Sequence, residues 1–434
     1  MDNQNETLAA EMAAINAAKS VELFDVLRNS MQLNEVQVSL DNSADRVLDA
    51  QKLLNSVEAW EVSPSLVETV DERLERAGVD IPLEPGFAAV QGAESLGKTL
   101  LPKSFLLTRQ AGCENFLTQF FKDSREVAIQ MSASFRDAWT LFTQSEEGLN
   151  KALDMLEAQV DSYPDFVSTG SFILEYRLYN LLKVNGKVNG DWAGNLNKLS
   201  STISALSGGY YLNNKQGLQT LMSYFGGFTQ LTESGAISRL QILPICLPNN
   251  PFKECNYPCP SKTNQQVQGK QSVELMGGAY FFDTRLKSTP SELETLEQVA
   301  DFVDLYTKFN KTGFENSAER THTEIGTEIK ALSTKEIRTI IKALRSLLKD
   351  WNTMFEKGEK FKVTDADFND IIKGIVDADI EETTRMHIAK WFSALVRDNQ
   401  MELLGIRVKV ANYLTLIVNA LISISHSSIK VNAT

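Results

Sequence analysis

The sequence predicts a mostly α protein: an elongated multi-helix bundle with a small β-hairpin excursion. Three stretches carry that expectation. Between Leu117 and Val160, Leu117, Phe121, Ala128, Met131, Phe135, Trp139, Phe142, Leu149, Leu153, Leu156 and Val160 fall along one side of a helix, with Ser124 and Glu146 the only polar residues in the stripe. No charged residue occurs between Val410 and Ile429. Pro244 to Pro260 holds five of the eleven prolines and three of the four cysteines, a density that no regular element survives.

Taken in order, residues 1–60 read mostly as helix. Leu8, Met12, Ile15, Leu23 and Val26 mark one face, and Leu48, Leu53, Leu54 and Val57 another. A more polar stretch from Leu33 to Asn42 separates the two. Ser63-Pro64 offers a helix start, with proline in the first turn. Asp80 to Pro85 reads as a loop, and Gly86 to Arg109 as a short mixed segment. The long striped helix follows; at about 1.5 Å per residue it would span about 66 Å, and a single stripe on so long a rod needs other helices to cover it. Its bulky aromatics suit a multi-helix core better than a two-stranded coiled-coil seam.

Tyr163-Pro164 ends that helix, and further helical patterns fill Phe172 to Leu182, Asn195 to Leu206 and Gln216 to Leu231. Asn185-Gly186, set between two valines, signals a tight turn. After the proline-rich loop, Ser272 to Leu286 alternates and carries Gly277-Gly278 ahead of aromatic residues, which predicts a strand or hairpin lying on the helices. From Ser288 the chain reads as helical nearly to the end. Segments run to about Lys311, from Thr321 to Phe355, from Asp365 to Val376, from Glu381 to Arg397 and from Glu402 to His426. The last is long enough to cross a bilayer. Asn412, Thr415, Asn419, Ser423, Ser425 and His426 are scattered through it, which favours a buried bundle helix. Four regions result: an acidic helical region at 1–85, a long-helix bundle half at 86–240, the proline-rich loop and hairpin at 241–287, and a helical half at 288–434.

The net charge of -13 is unevenly spread: residues 1–80 carry 16 acids and 6 bases, so ten of the thirteen excess negative charges lie there. No Lys/Arg-rich block appears, and hence no strong nucleic-acid signal, although small basic patches can still assemble in three dimensions. Met1 to Ser20 is acidic and alanine-rich without an apolar segment, so no signal peptide is read and a reduced cytoplasm is the expected place of synthesis.

The sharpest local motif is Gly92-Ala-Glu-Ser-Leu-Gly-Lys-Thr99, which satisfies the phosphate-loop pattern through Gly92, Gly97, Lys98 and Thr99. Phe87 to Val90 makes a poor preceding strand, Pro102 falls within the helix that should follow, and no strand–helix alternation supplies a parallel sheet. A nucleotide-binding protein is therefore the alternative from another class, and a cytoplasmic helical adaptor a third. Asp365 to Asp370 starts like a calcium loop but has Asp370 where glycine is needed and Val376 where a bidentate glutamate is needed, so it reads as an acidic helix start. Cys246, Cys255 and Cys259 lack CxxC spacing or a nearby histidine. His322, His387 and His426 sit in separate helical patterns. No catalytic, cofactor or metal site is read, and the protein is expected not to be an enzyme.

The order of features from about residue 90 to 430 resembles the internal head (virion structural) proteins of large tailed phages. Glu94 to Thr99 looks like the segment that opens the mature part of such proteins; the aromatic-striped helix, the Asn-Gly turn, the proline-broken loop, the Gly277 to Phe282 hairpin and a helical second half then follow. The resemblance implies a location inside the virion head and contacts with other head proteins. It also implies an N-terminal propeptide removed by a prohead protease after a small residue, any residue, then glutamate. Ala59-Trp-Glu61, Gly92-Ala-Glu94 and Gly112-Cys-Glu114 fit that pattern, giving Glu61, Glu94 and Glu114 as processing candidates. Glu94 lies just beyond the acidic region, in the least regular part of the chain, where cleavage is easiest.

Overall fold

In the computed structural model the described residues are 2–57, 61–79, 101–102, 106–188, 190–205, 253–255, 267–286, 298, 311–316, 327–359, 370–371, 373–374 and 382–433. In chain order they form α1 (Asp2–Asn55), β1 (Glu61–Val62), α2 (Pro64–Arg76), β2 (Leu101–Pro102), α3 (Leu107–Asp161), β3 (Ser171–Leu174), α4 (Tyr176–Leu182) and α5 (Trp192–Ala205). β4 (Lys253–Cys255), β5 (Val267–Gln271), β6 (Ala279–Leu286), β7 (Lys311–Asn316), β8 (Thr327–Lys330), α6 (Thr334–Glu359) and α7 (Glu382–Ala433) follow.

The mostly α expectation holds. Helices α1, α3 and α7 have 54, 55 and 52 residues, each about 80 Å long, and all three pack against one another. Gln37 of α1 meets Ser124 of α3, and the carbonyl of Asp49 reaches α2, whose Asp71 holds Arg109 near the start of α3. α1 and α3 are therefore antiparallel. The two helical faces expected within residues 1–60 belong to one unbroken helix, as do the two expected from Glu381 to Arg397 and Glu402 to His426. Of the α3 stripe, Phe121, Leu149, Leu153, Leu156 and Val160 are buried; the side chains of Leu117, Ala128, Met131, Phe135, Trp139 and Phe142 lie outside the described ones.

The largest described core gathers at one end of the rod. There Leu149 to Val160 of α3, Leu196 to Ile203 of α5, Ile337 to Trp351 of α6 and Ile406 to Ile429 of α7 share a single apolar cluster. The turn signals are seen directly. Asn185 and Gly186 take φ of 50° and 75°, with Val184 bridged to Lys187, as a primed two-residue turn demands. Gly277 has φ of 70°, and a Cβ on it would lie 2.9 Å from the Leu181 carbonyl oxygen, so glycine is needed twice over. The Gly277 N–H donates to the Lys183 carbonyl at 2.8 Å, which seats this turn on the Asn-Gly turn.

The hairpin excursion is a four-stranded antiparallel sheet in the order β4-β5-β6-β7. The rings of Phe281 of β6 and Phe314 of β7 lie tilted against each other with centroids 4.9 Å apart, and Phe314 meets Tyr413 of α7 at 5.1 Å. The Tyr413 hydroxyl donates to the Met276 carbonyl at 2.8 Å. Burial pushes that phenol further up from its ordinary pKa, so it stays a donor at any ordinary pH.

Three segments expected to be helical are partly strands. Ser171 to Leu174 is β3, with helix only from Tyr176; Thr327 to Lys330 is β8, with helix only from Thr334; Lys311 opens β7. The reason is non-local: β3 and β8 pair antiparallel, Phe172 opposite Ile329, across more than 150 residues that no local pattern spans. Asn432 near the end of α7 locks this ribbon, accepting from the Thr169 N–H at 3.2 Å and donating to the Leu332 carbonyl at 3.0 Å.

Gly405 to Asn432 has the length and mean hydropathy (1.5) of a membrane span, yet 78% of its apolar window is buried inside the protein. Three of its buried hydroxyls are satisfied within the helix: Thr415, Ser425 and Ser428 donate to carbonyls four residues back at 2.8–3.0 Å. Trp351 is fully buried, and Trp351→Ala is expected to cost about 3–5 kcal/mol by denaturant unfolding; a loss below about 1 kcal/mol would show that α6 is not part of the core.

Candidate functional site

Of the residues singled out in the sequence, Glu61 and Glu114 lie in the region where α1 ends and α3 begins. α1 stops at Asn55, and Glu61-Val62 forms β1, paired antiparallel with Leu101-Pro102 of β2. Ser63 then caps α2, its side-chain oxygen accepting from the Leu66 N–H at 3.3 Å, with Pro64 in the first turn as expected. Glu61 thus lies in extended chain between two helices. Glu114 is different. It is exposed, but inside α3, beside the fully buried Cys113, while Gly112 packs so closely that an added Cβ would lie 3.1 Å from Val79. Glu94, and with it Gly92, Gly97, Lys98 and Thr99, lies outside the described residues, as do Cys246, Cys259, His322 and Asp365. Just beyond that motif, Leu101-Pro102 is a strand, where the helix that follows a phosphate loop would already have begun. Cys255 ends β4.

Among the described residues, directional side-chain contacts help fasten the joint. Asp71 of α2 holds Arg109 of α3 through two parallel bonds, Nε at 2.8 Å and an amino nitrogen at 2.9 Å, and Arg109 is 2% exposed. A bidentate pair removed from water in this way needs both partners. Arg73 of α2 donates to the Asp49 carbonyl at 3.2 Å, and Lys390 of α7 pairs with Asp45 of α1.

The middle of α1 is bound in another fashion. From Arg28 to Ser43 the buried side chains are Ser30, Gln37 and Asp41, all polar, whereas Met31, Val36 and Val38 are exposed. The Gln37 amide donates to Asp41 within its own helix and to Ser124 of α3, both at 3.0 Å. The polar stretch read from Leu33 to Asn42 is thus a hydrogen-bonded seam, and Ser124 is its partner in the α3 stripe. Sequence alone offered both halves as exceptions to apolar periodicity and no means of joining them.

His387 of α7 sits half-buried beside α1. Burial lowers its pKa to about 4; Lys52 and Lys390 add to the shift, while Asp45 and Asp49 oppose it.

Comparison with known families adds the decisive observation. The model of the phiKZ-like phage internal head proteins matches residues 28–426, taking in the joint and most of each long helix. The chain belongs to that family. Its place is inside the virion head, among other head components. No curated protein matches, and no solved structure does.

Two outcomes follow for this internal head protein. Gln37→Leu leaves buried Asp41 and Ser124 without their shared donor and is expected to cost about 1–3 kcal/mol, part of which returns in Gln37→Leu/Ser124→Ala; additive losses in denaturant unfolding would show that the two are not coupled. For His387 the folded pKa lies below the ordinary 6.5, so the unfolded chain binds more protons between those values. The stability it contributes is complete above about pH 6.5 and is lost as pH falls toward about 4. His387→Gln is expected to flatten that part of a melting-temperature profile.

Proposed function

We propose that the protein is a non-enzymatic structural component of the head interior, acting through protein–protein contacts and matured by a prohead protease at the joint between α1 and α3. Three helices of 52–55 residues that all pack against one another support a rod-like building element. Proteases bind their substrates as extended chain, so a helical site must first unfold. The observation carrying the processing site is the contrast between Glu61, in extended chain, and Glu114, inside a continuous helix against a buried neighbour.

Cleavage after Glu61 or Glu94 leaves α3 and everything after it whole. The released N-terminal piece would keep its contacts through Gln37 and Asp45 until a partner or dilution removes it. The test is intact-mass and N-terminal analysis of the protein from purified virions. A mature chain beginning at Val62 or Ser95 is expected. An uncleaved Met1 start, or a start at Asn115, would refute the proposed maturation, and absence of the protein from virions would refute the structural role.

A further inference from the structure

The β3–β8 ribbon has two outer edges, and they are built differently. The Ala331 N–H donates to the Gly170 carbonyl at 2.8 Å, so antiparallel alternation turns the backbone groups of Phe172 and Leu174 toward β8. The N–H and C=O groups of Ser171 and Ile173 then point the other way, along the outer edge of β3, where among the described residues they meet no partner. On β8 the outward positions are Glu328 and Lys330, both exposed and charged, which is how natural sheets guard an edge. β3 carries no such guard. No residue from Phe166 to Leu174 is charged. Val167 and Ile173, 76% and 71% exposed, are the most exposed large apolar side chains among the described residues.

This bare edge is held in place from behind. Leu174 is buried in the main core and Phe172 packs against it, while the Phe166 N–H donates to the Thr334 hydroxyl at 3.0 Å and the Thr169 N–H to the Asn432 side chain at 3.2 Å. A strand that adds here therefore has little to order on this side. The chain itself supplies a strand that fits. Laid antiparallel about a two-fold axis at Phe172, a second β3 sets Ser171 opposite Ile173 of the other copy, and the outward groups of both residues exchange N–H to C=O bonds. On the exposed face each Ile173 then lies beside the small Ser171 of the other copy. Each row across the joined sheet runs Lys330, Ser171, Ile173, Glu328, so its ends are opposite in charge and no like charges face one another. The net charge of -13 opposes association of two copies at long range, and an uncharged strand lets them meet without adding to that repulsion.

We propose that β3 is a self-association edge: two copies of the protein pair antiparallel through Ser171 and Ile173, and their ribbons become one four-stranded sheet in the order β8-β3-β3-β8. Each strand has four residues, so the contact is small, reversible and dependent on protein concentration. It supplies one of the protein–protein contacts proposed above and rests on that reading for its role in the head. It is measured in solution, so it can fail while the virion role and the processing site stand.

The test is sedimentation equilibrium of the full-length protein from about 1 μM to about 1 mM, the range of weak reversible association. A monomer–dimer equilibrium is expected. Ser171→Pro removes an N–H that β3 does not use toward β8, so the ribbon keeps its own bonds. It deletes one inter-copy bond from each copy, and the dissociation constant should rise roughly 5- to 150-fold. Ile173→Lys gives β3 the kind of charge that guards β8 and should weaken pairing as well. Val36→Lys, at an exposed apolar position on α1, should leave it unchanged. Circular dichroism checks that the variants fold, and Ile173→Lys decides alone if the proline unsettles the ribbon. No dimer at the highest concentration, a dimer that a folded edge variant leaves intact, or one that Val36→Lys weakens equally, would overturn the proposal.

Discussion

The C-terminal half of α7 is apolar almost all round, and the rest of the molecule is arranged to keep it from water. Between Ile406 and Ile429 the exposed positions are Lys409, Leu416 and Ser423, a single line at seven-residue intervals continued by Lys430. A helix with one apolar stripe needs one neighbour; a helix apolar on nearly every side must be enclosed. α1 and α3 lie along it, the β6–β7 sheet seats Phe314 on Tyr413, and the β3–β8 ribbon closes its end at Asn432. Three of the buried hydroxyls that interrupt this helix, on Thr415, Ser425 and Ser428, are tolerated because they bond to their own backbone.

Burial of apolar side chains holds both ends of the rod, including Val47, Val67, Val70, Leu74 and Phe120 at the joint. At the joint and along the middle of α1, directional contacts are added through the Asp71–Arg109 pair, the Lys390–Asp45 pair and the Gln37–Ser124 seam. Hydrogen bonds formed out of water add little net stability, yet an unmet partner is costly, so such contacts fix register more than they add strength. An element bound in this way suits a segment that docks in one position during assembly and can later be parted from the bundle.

Much of the fold was legible because it is written locally. Ser63-Pro64 caps α2, Pro164 follows the end of α3, and the Asn185-Gly186 and Gly277-Gly278 turns fall where their backbone requirements placed them. That these last two turns, some ninety residues apart, lie against each other was not legible, since each signal specifies only its own dihedrals. At the candidate site, three glutamates shared one short pattern, and nothing in the triplets ranked them. Glu114 was separated from Glu61 by helix continuity and the burial of Cys113, both properties of the packed chain.

The sequence by itself determined the mostly helical class, the long α3, the buried character of the last helix and the family resemblance that the match over residues 28–426 bears out. These follow from apolar periodicity and turn chemistry, which act over a few residues. Only the tertiary structure decided that Phe172 and Ile329 face each other in a ribbon, and that the polar middle of α1 is an interface. Each of these depends on partners distant in the chain, and pairing over such distances is set by how the whole core closes.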